Sequence, residues 1–403
     1  MKGFFSRFSG ALKAKKSDRV YLDFASTTPV DPRVEEAMRP FWADSFGNPH
    51  ARNEEGFIAR DHLVRIRRDI ARVIEVHPDE ITFTSGGTEA NNLAILGLVR
   101  ALEEKGRKIT DMHAVVSVIE HASVLECFAE LHRRGMKISW LRPDEKGIVA
   151  APVVAKHLKK KTVLVSVMLV NNEIGTIEPV RDIARMLAKL PERPYFHTDA
   201  SQAPLYLSVL PNSLGVDLMT VDAQKIYGPK GVGFLYHKRG VPLSAILFGG
   251  AQESGLRPGT VPLALVAGLG AAFVLAQQEW KASASRVGQL RNDLIVELEK
   301  EFPTALVNGD RGARIANNIN ISFPGVDGEY LAALLNAEGV AVATKSACLP
   351  EDSSSYVIEA LGLNTVNATS AIRISLGKET SEGDVRKTLQ ALRNALKKFD
   401  KPK

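Results

Sequence analysis

The chain has 403 residues, 45% hydrophobic and 24% charged, with a net charge of +6. That length exceeds one small core and predicts two domains in an ordinary soluble globular protein. The basic excess sits in residues 1–19 and in the C-terminal "LKKFDKPK", the pattern of solvated tails, which argues against nucleic acid as a direct partner.

In chain order, the N-terminal "MKGFFSRFSGALKAKKSDR" is basic, has no acid before Asp18, and spaces Phe4, Phe5, Phe8 and Leu12 in a roughly helical pattern. It is expected to be a disordered tail or a partner-docking helix. A mitochondrial presequence is the second reading, and the pattern is not that of a secretory signal. From about residue 80 to 236, short apolar runs alternate with helical patterns, the signature of a mostly parallel α/β sheet. The runs are "EITFTS", "HAVVSVIE", "TVLVSVMLV", "PYFHTDAS", "VDLMTVDA" and "GVGFLY", with helical stretches such as "TEANNLAILGLVRALEEKG" and "VRDIARMLAKL" between several of them. Pro258 to Gln278 is uncharged but interrupted by Gly, Pro, Thr and Gln. It reads as a buried helix and not a membrane span. Beyond about 280, long amphipathic helices with the strands "NNINISF" and "AIRISLG" predict a smaller α+β domain. The two cysteines, Cys127 and Cys348, lie far apart without metal-ligand spacing. No metal site is expected, and a reducing compartment fits, the cytoplasm ahead of the mitochondrial matrix.

Polar residues follow five of these runs. They are Gly86-Gly87-Thr88, His121, Asn171 with Asn172, Asp199 with Gln202, and Gln224 with Lys225. In an open α/β sheet those positions share the carboxyl edge, where ligands bind. Gly86-Gly87-Thr88 can present backbone N–H groups and a hydroxyl to an anion, although such turns also cap helices with no ligand. Asp199 and Lys225 on neighbouring strand ends could span a small aromatic ring. A carboxylate keeps a pyridine nitrogen protonated and a lysine forms an imine with an aldehyde, the electron-sink arrangement of pyridoxal 5'-phosphate, PLP. His121 suits stacking on the ring or moving a proton; otherwise it is a satisfied core histidine.

The stretches "YLDFASTTPVDPRV", "FGNP", "FTSGGTEANNLAI", "EHASV", "VNNEIGTIEPV", "HTDASQ", "KIYGPKGVG", "RPGTVP", "SACLPEDSSSYVIEALG" and "IRISLG" run in order from Tyr21 to Gly377. Together they resemble the cysteine desulfurases, fold-type-I PLP enzymes of the aminotransferase class V group. The resemblance implies a large PLP-binding domain with a mostly parallel sheet flanked by helices, plus a smaller α+β domain. The division expected is a tail at 1–18, a segment at 19–32 packing with the small domain, a large domain at 33–279, and a small domain at 280–403 carrying the catalytic cysteine loop.

By motif, the resemblance implies that Lys225 bonds the cofactor aldehyde, Asp199 pairs with the pyridinium nitrogen, and His121 stacks on the ring. Asn172 and Gln202 would bond around the pyridine oxygen, with Asn172 also near substrate, and Gly87 with Thr88 would hold the phosphate. Thr260 would reach the phosphate of a partner subunit, implying a homodimer. Arg373 would grip the substrate carboxylate, and Cys348 would take sulfur from L-cysteine as a persulfide, releasing alanine. The sulfur would pass to an acceptor or scaffold protein for iron–sulfur clusters or RNA thiolation. Lys345 could assist the Cys348 thiolate electrostatically or be simply solvated, and Cys127 reads as core.

Several positions depart from the family pattern. Asp222 and Gln224 stand where serine and histidine are usual. Gln224 can still donate to phosphate, but an ionised Asp222 cannot, so Asp222 is expected to turn away or pair with a cation. Asn53 replaces a common histidine, Ser254 a common arginine, Pro258 a common serine, and Lys345 a usual glycine. Two other readings stay open: a selenocysteine lyase, and a weakened PLP protein acting as a sulfur-trafficking partner.

Overall fold

The computed structural model describes residues 19–345, 354–363 and 365–399. The expected readings of the basic tail and of Cys348 therefore lie outside the described residues. The chain enters through the short strand β1 (Val20–Tyr21). A seven-stranded sheet then forms from β2 (Ile81–Thr84), β3 (His113–Ser117), β4 (Lys137–Leu141), β5 (Thr162–Ser166), β6 (Tyr195–Asp199), β7 (Leu218–Asp222) and β8 (Gly233–His237). Their order across the sheet is β2-β8-β7-β6-β5-β3-β4. Strands β3 and β7 are buried along their whole length, and β5 and β6 after their first residue. Such near-continuous apolar runs are what a sheet covered on both faces demands.

β8 runs antiparallel to both β2 and β7. Residues 223–232, which join it to β7, are too short a connection for the crossover a parallel strand requires. β4 was not among the predicted runs. Only Leu141 in "KISWL" is fully buried, because β4 is the outer strand beside β3, and an edge strand shows little apolar continuity.

The helix Glu54–Val73 is capped by Asn53, whose side chain accepts the Gly56 N–H at 2.9 Å. Asparagine is among the preferred residues at that position, which gives Asn53 a structural role of its own. The helix Leu263–Glu301 is, among the described residues, long and apolar enough to cross a bilayer. More than half of its most apolar stretch is buried inside the protein, as expected of a core helix. A methyl on Gly268 would meet Met38 Sδ at 2.7 Å, and one on Gly270 would meet Ile66 at 2.6 Å. The two glycines thus let neighbouring helices approach closely. The expected boundary between residues 279 and 280 falls inside this unbroken helix.

Beyond it, β9 (Leu306–Val307), β10 (Asn318–Ser322), β11 (Val340–Ala341) and β12 (Ala371–Ser375) follow. β12, β10 and β9 make an antiparallel sheet in that order, while β11 pairs in parallel with β1. A further bridge joins Asp23 to Ser375. The N-terminal segment is therefore stitched to the C-terminal part of the chain, and residues 23–28 then lead towards the large sheet.

Candidate active site

A cavity of about 240 Å3 opens at the carboxyl edge of the large sheet. Every one of the five polar clusters read from the sequence contributes to its wall: Gly87 and Thr88 after β2, His121 after β3, Asn172 after β5, Asp199 with Gln202 after β6, and Gln224 with Lys225 after β7. Arg373 of β12 closes it from the small sheet, and Ala25 and Ser26 from the N-terminal segment.

Asp199, the last residue of β6, is buried. Its Oδ2 accepts from Asn91 Nδ2 at 2.8 Å and its Oδ1 from the Ser201 N–H at 2.9 Å. Asn91 also donates to Ser123 Oγ at 2.9 Å, while its own Oδ1 has no partner among the described residues. Ser123 in turn lies 2.8 Å from His121 Nδ1, which accepts the Ser123 backbone N–H at 3.2 Å. A ring nitrogen that accepts carries no proton, so a neutral His121 holds its proton on Nε2. Deep in β6, His197 stays neutral, because burial pushes it down to about 4.

Lys225 ends a short 3₁₀ turn, Ala223–Lys225, directly after β7. Its Nζ donates to the carbonyls of Ala25 at 3.0 Å and Ser26 at 2.5 Å, and Gln202 donates to the same Ala25 carbonyl at 3.0 Å. The N-terminal segment thus holds the lysine in place, a contact across the chain that local sequence cannot show. Lys230 donates to the Thr28 carbonyl at 3.3 Å and is absent from the cavity wall.

Asp222 is buried and lines the cavity, and no ion pair joins it to a cation among the described residues. As cap of the 3₁₀ turn it accepts the Gln224 N–H at 3.2 Å and Gln224 Nε2 at 3.1 Å. The Gln224 amide expected to face an anion is therefore engaged with Asp222. Opposite stands the helical run Gly87–Glu104, which passes through a π-helical turn at Leu93–Gly97. Gly86 enters it at φ +145°, where L side chains rarely go. A Cβ at Gly87 would lie 3.3 Å from Asp222 Oδ2 and from Ser201 Oγ. Two glycines thus keep a bare backbone corner open at the start of a helix, a geometry suited to an anion's approach.

At the other end, the buried Arg373 donates to the Asn172 carbonyl at 3.0 Å, to Asp23 Oδ1 at 2.7 Å and to Ser26 Oγ at 2.9 Å. Its Nε and Asn172 Oδ1 lack partners among the described residues. Thr260 is exposed and outside its own chain's cavity. Lys345 lies 3.1 Å from Glu329, and Cys348 is outside the described residues. Cys127 is buried, donates to the Ser123 carbonyl at 3.1 Å, and is pushed up to about 12 by burial, so it is an inert core thiol.

Sequence reasoning missed Asn91, Ser123, Met168, Ser201, Ser26 and Asp23. Asn91 carried a signal, standing one helical turn beyond Gly87 on the same face. It also missed two buried acids behind the wall. Glu120 accepts the Met168 N–H at 2.6 Å, has one oxygen unpartnered among the described residues, and is raised well above the ordinary carboxylate range by burial. Glu178 accepts the Val149 N–H at 2.8 Å and is pushed by burial up to about 8.

The donor set fits PLP. It pairs a carboxylate with a lysine across the cavity, a bare glycine corner beside the lysine's turn, and buried amide oxygens on Asn91 and Asn172 that have hydrogen-bonding capacity to spare.

Residues 20–388 match the family model described as aminotransferase class-V. The chain is 41% identical over 381 residues to the cysteine desulfurase IscS of Dictyoglomus turgidum, covering 94% of this chain and 95% of that protein. Among solved structures, a NifS-like protein aligns with a TM-score of 0.87 at 33% identity, covering 94% of this chain and 99% of the other. SspA in complex with cysteine aligns with a TM-score of 0.76 at 32% identity, covering 89% and 98%.

Proposed function

The chain belongs to the aminotransferase class-V family, and on that premise we propose the roles of its residues as a PLP-dependent cysteine desulfurase. The observation that carries the reading is the meeting of Asp199, Lys225, His121 and Arg373 in one cavity built by two sheets and the N-terminal segment. When bound, PLP supplies the electron sink that acidifies the α-carbon of an amino acid.

The chain's own residues do the rest. Lys225 Nζ would hold the cofactor through its aldehyde and, once the substrate amine has displaced it, would be the base that takes the α-proton. Asp199, oriented by Asn91 and Ser201, would keep the pyridine nitrogen protonated. His121 would pack on the ring and, when neutral, carry its proton on Nε2. Gly87, Thr88 and the Gln224 region take the phosphate, while Asn172 and Gln202 serve the ring oxygen. Arg373 holds the substrate carboxylate, its guanidinium fork kept in place by Asp23 and the Asn172 carbonyl. Cys348 Sγ attacks the substrate sulfur: an S–S bond forms, the Cβ–S bond breaks with its electron pair passing to carbon, Cβ takes a proton, Lys225 returns a proton to the α-carbon, and alanine leaves.

The expected division into a large domain at 33–279 and a small one at 280–403 belongs to the same proposal, with the helix Leu263–Glu301 spanning the junction. So do a homodimer and an acceptor protein for the sulfur. Exposed Thr260 and large apolar surface residues such as Phe46 and Phe248, 70% and 79% exposed, support a second copy. A cytoplasmic location is the favoured one. The test is alanine and sulfide formation from L-cysteine by wild type, Lys225→Ala and Cys348→Ala. Formation of both products should fall by about 10²–10⁴-fold with Lys225→Ala. Retention of the cofactor's visible band but loss of sulfur transfer is expected for Cys348→Ala, and undiminished turnover in either variant would remove its residue from the mechanism.

A further inference from the structure

Asp222 stands where the proposed cofactor's phosphate must approach. We infer that Asp222 shares a proton with that phosphate, so that cofactor entry is coupled to net proton uptake. The inference rests on the PLP reading above.

Three observations fix the side chain. The backbone of Asp222 ends β7 and pairs with Gly233 of β8. Its carboxylate caps the Ala223–Lys225 turn through the Gln224 N–H and Gln224 Nε2. Its Oδ2 lies beside the glycine corner, 3.3 Å from where a Gly87 Cβ would stand and 3.9 Å from the Gly86 equivalent. Swinging Asp222 aside would uncap the turn that presents Lys225.

Among the described residues no ion pair joins Asp222 to a cation. Across the corner, the helical run beginning at Gly87 carries Glu89, already paired with Arg257 at 3.1 Å. β8 offers Gly233, β6 offers Asp199 and the neutral His197, and Ser201 presents a hydroxyl. Lys225, on the same turn, is held by the Ala25 and Ser26 carbonyls. His121 and Arg373 line other parts of the wall. The long helix Leu263–Glu301 meets this region through apolar residues, Ala272 beside Gly228 and Phe273 edge-on to Phe234. An acid pinned beside an arriving anion, with no cation paired to it among the described residues, is the situation in which one proton is held between the two.

The experiment is calorimetric titration of PLP into apo protein, in two buffers of different ionisation enthalpy at one pH, for wild type, Asp222→Asn and Asp222→Ser. Proton changes at Lys225 are common to all three and cancel, so the difference counts the proton held between Asp222 and the phosphate. Wild type should take up about one proton more per cofactor than either variant, and its Kd should weaken by up to about tenfold per pH unit relative to theirs. Pyridoxal, which lacks the phosphate, should show no such difference. PLP binding with equal proton counts in all three proteins overturns the inference alone. Failure of all three to bind PLP overturns the cofactor reading and this inference with it.

Discussion

Gly87→Ala separates the phosphate corner from the rest of the fold. The backbone at Gly87 lies outside the left-handed region, at the start of a helical run, so alanine is conformationally acceptable and could add up to about 1 kcal/mol of helix stability. The new methyl, however, would sit 3.3 Å from Asp222 Cβ, Asp222 Oδ2 and Ser201 Oγ. It would fill the space through which a phosphate reaches the backbone N–H groups. Losing one charge-assisted hydrogen bond costs about 1.5–3 kcal/mol, which is about tenfold to 150-fold in Kd. Titration of the apo protein with PLP, followed by visible absorbance, should show that loss, while pyridoxal binding and the apo protein's Tm change little. Unaltered PLP affinity at unaltered Tm would refute the placement of the phosphate against Gly87.

Lys225→Ala should lower kcat for alanine formation by about 10²–10⁴-fold, the range for a removed acid–base group, and abolish the cofactor's visible band. Arg373→Lys exchanges a planar fork for a point charge; KM for L-cysteine should rise by about tenfold or more while kcat changes less, as steady-state kinetics would show. Glu178→Gln tests a buried acid. Because folding raises Glu178 to about 8, the folded state keeps a proton that the unfolded chain loses above about 4.5. This group's contribution is thus fully present below that value and fades as pH rises towards 8. Between about pH 5 and 7 urea unfolding should show wild type losing about 2 kcal/mol more stability than the variant. Parallel pH curves for the two would contradict the neutral state of Glu178.

The sheet and the cavity were legible for one physical reason: strands buried on both faces write continuous apolar runs, so the polar residues after them stand out. Gly87, His121, Asn172, Asp199 and Lys225 were found that way and line one cavity. What stayed hidden depends on distant parts of the chain. Ala25 and Ser26 reach Lys225, and Asp23 reaches Arg373, across separations no local pattern records. β4 was missed because an edge strand need not be apolar. The carboxylate of Asp222, expected to turn away from an anion or pair with a cation, caps the turn at the cavity wall by accepting from Gln224.

The account's central claim is that sulfur leaves L-cysteine for Cys348. A single turnover of the PLP-loaded protein with L-cysteine, without reductant, followed by alkylation and peptide mass mapping, tests it directly. The account predicts an extra sulfur on the peptide containing Cys348, matched by an equal amount of alanine, and none on the buried Cys127. Alanine formed with no sulfur on Cys348, or sulfur carried on Cys127, would contradict it.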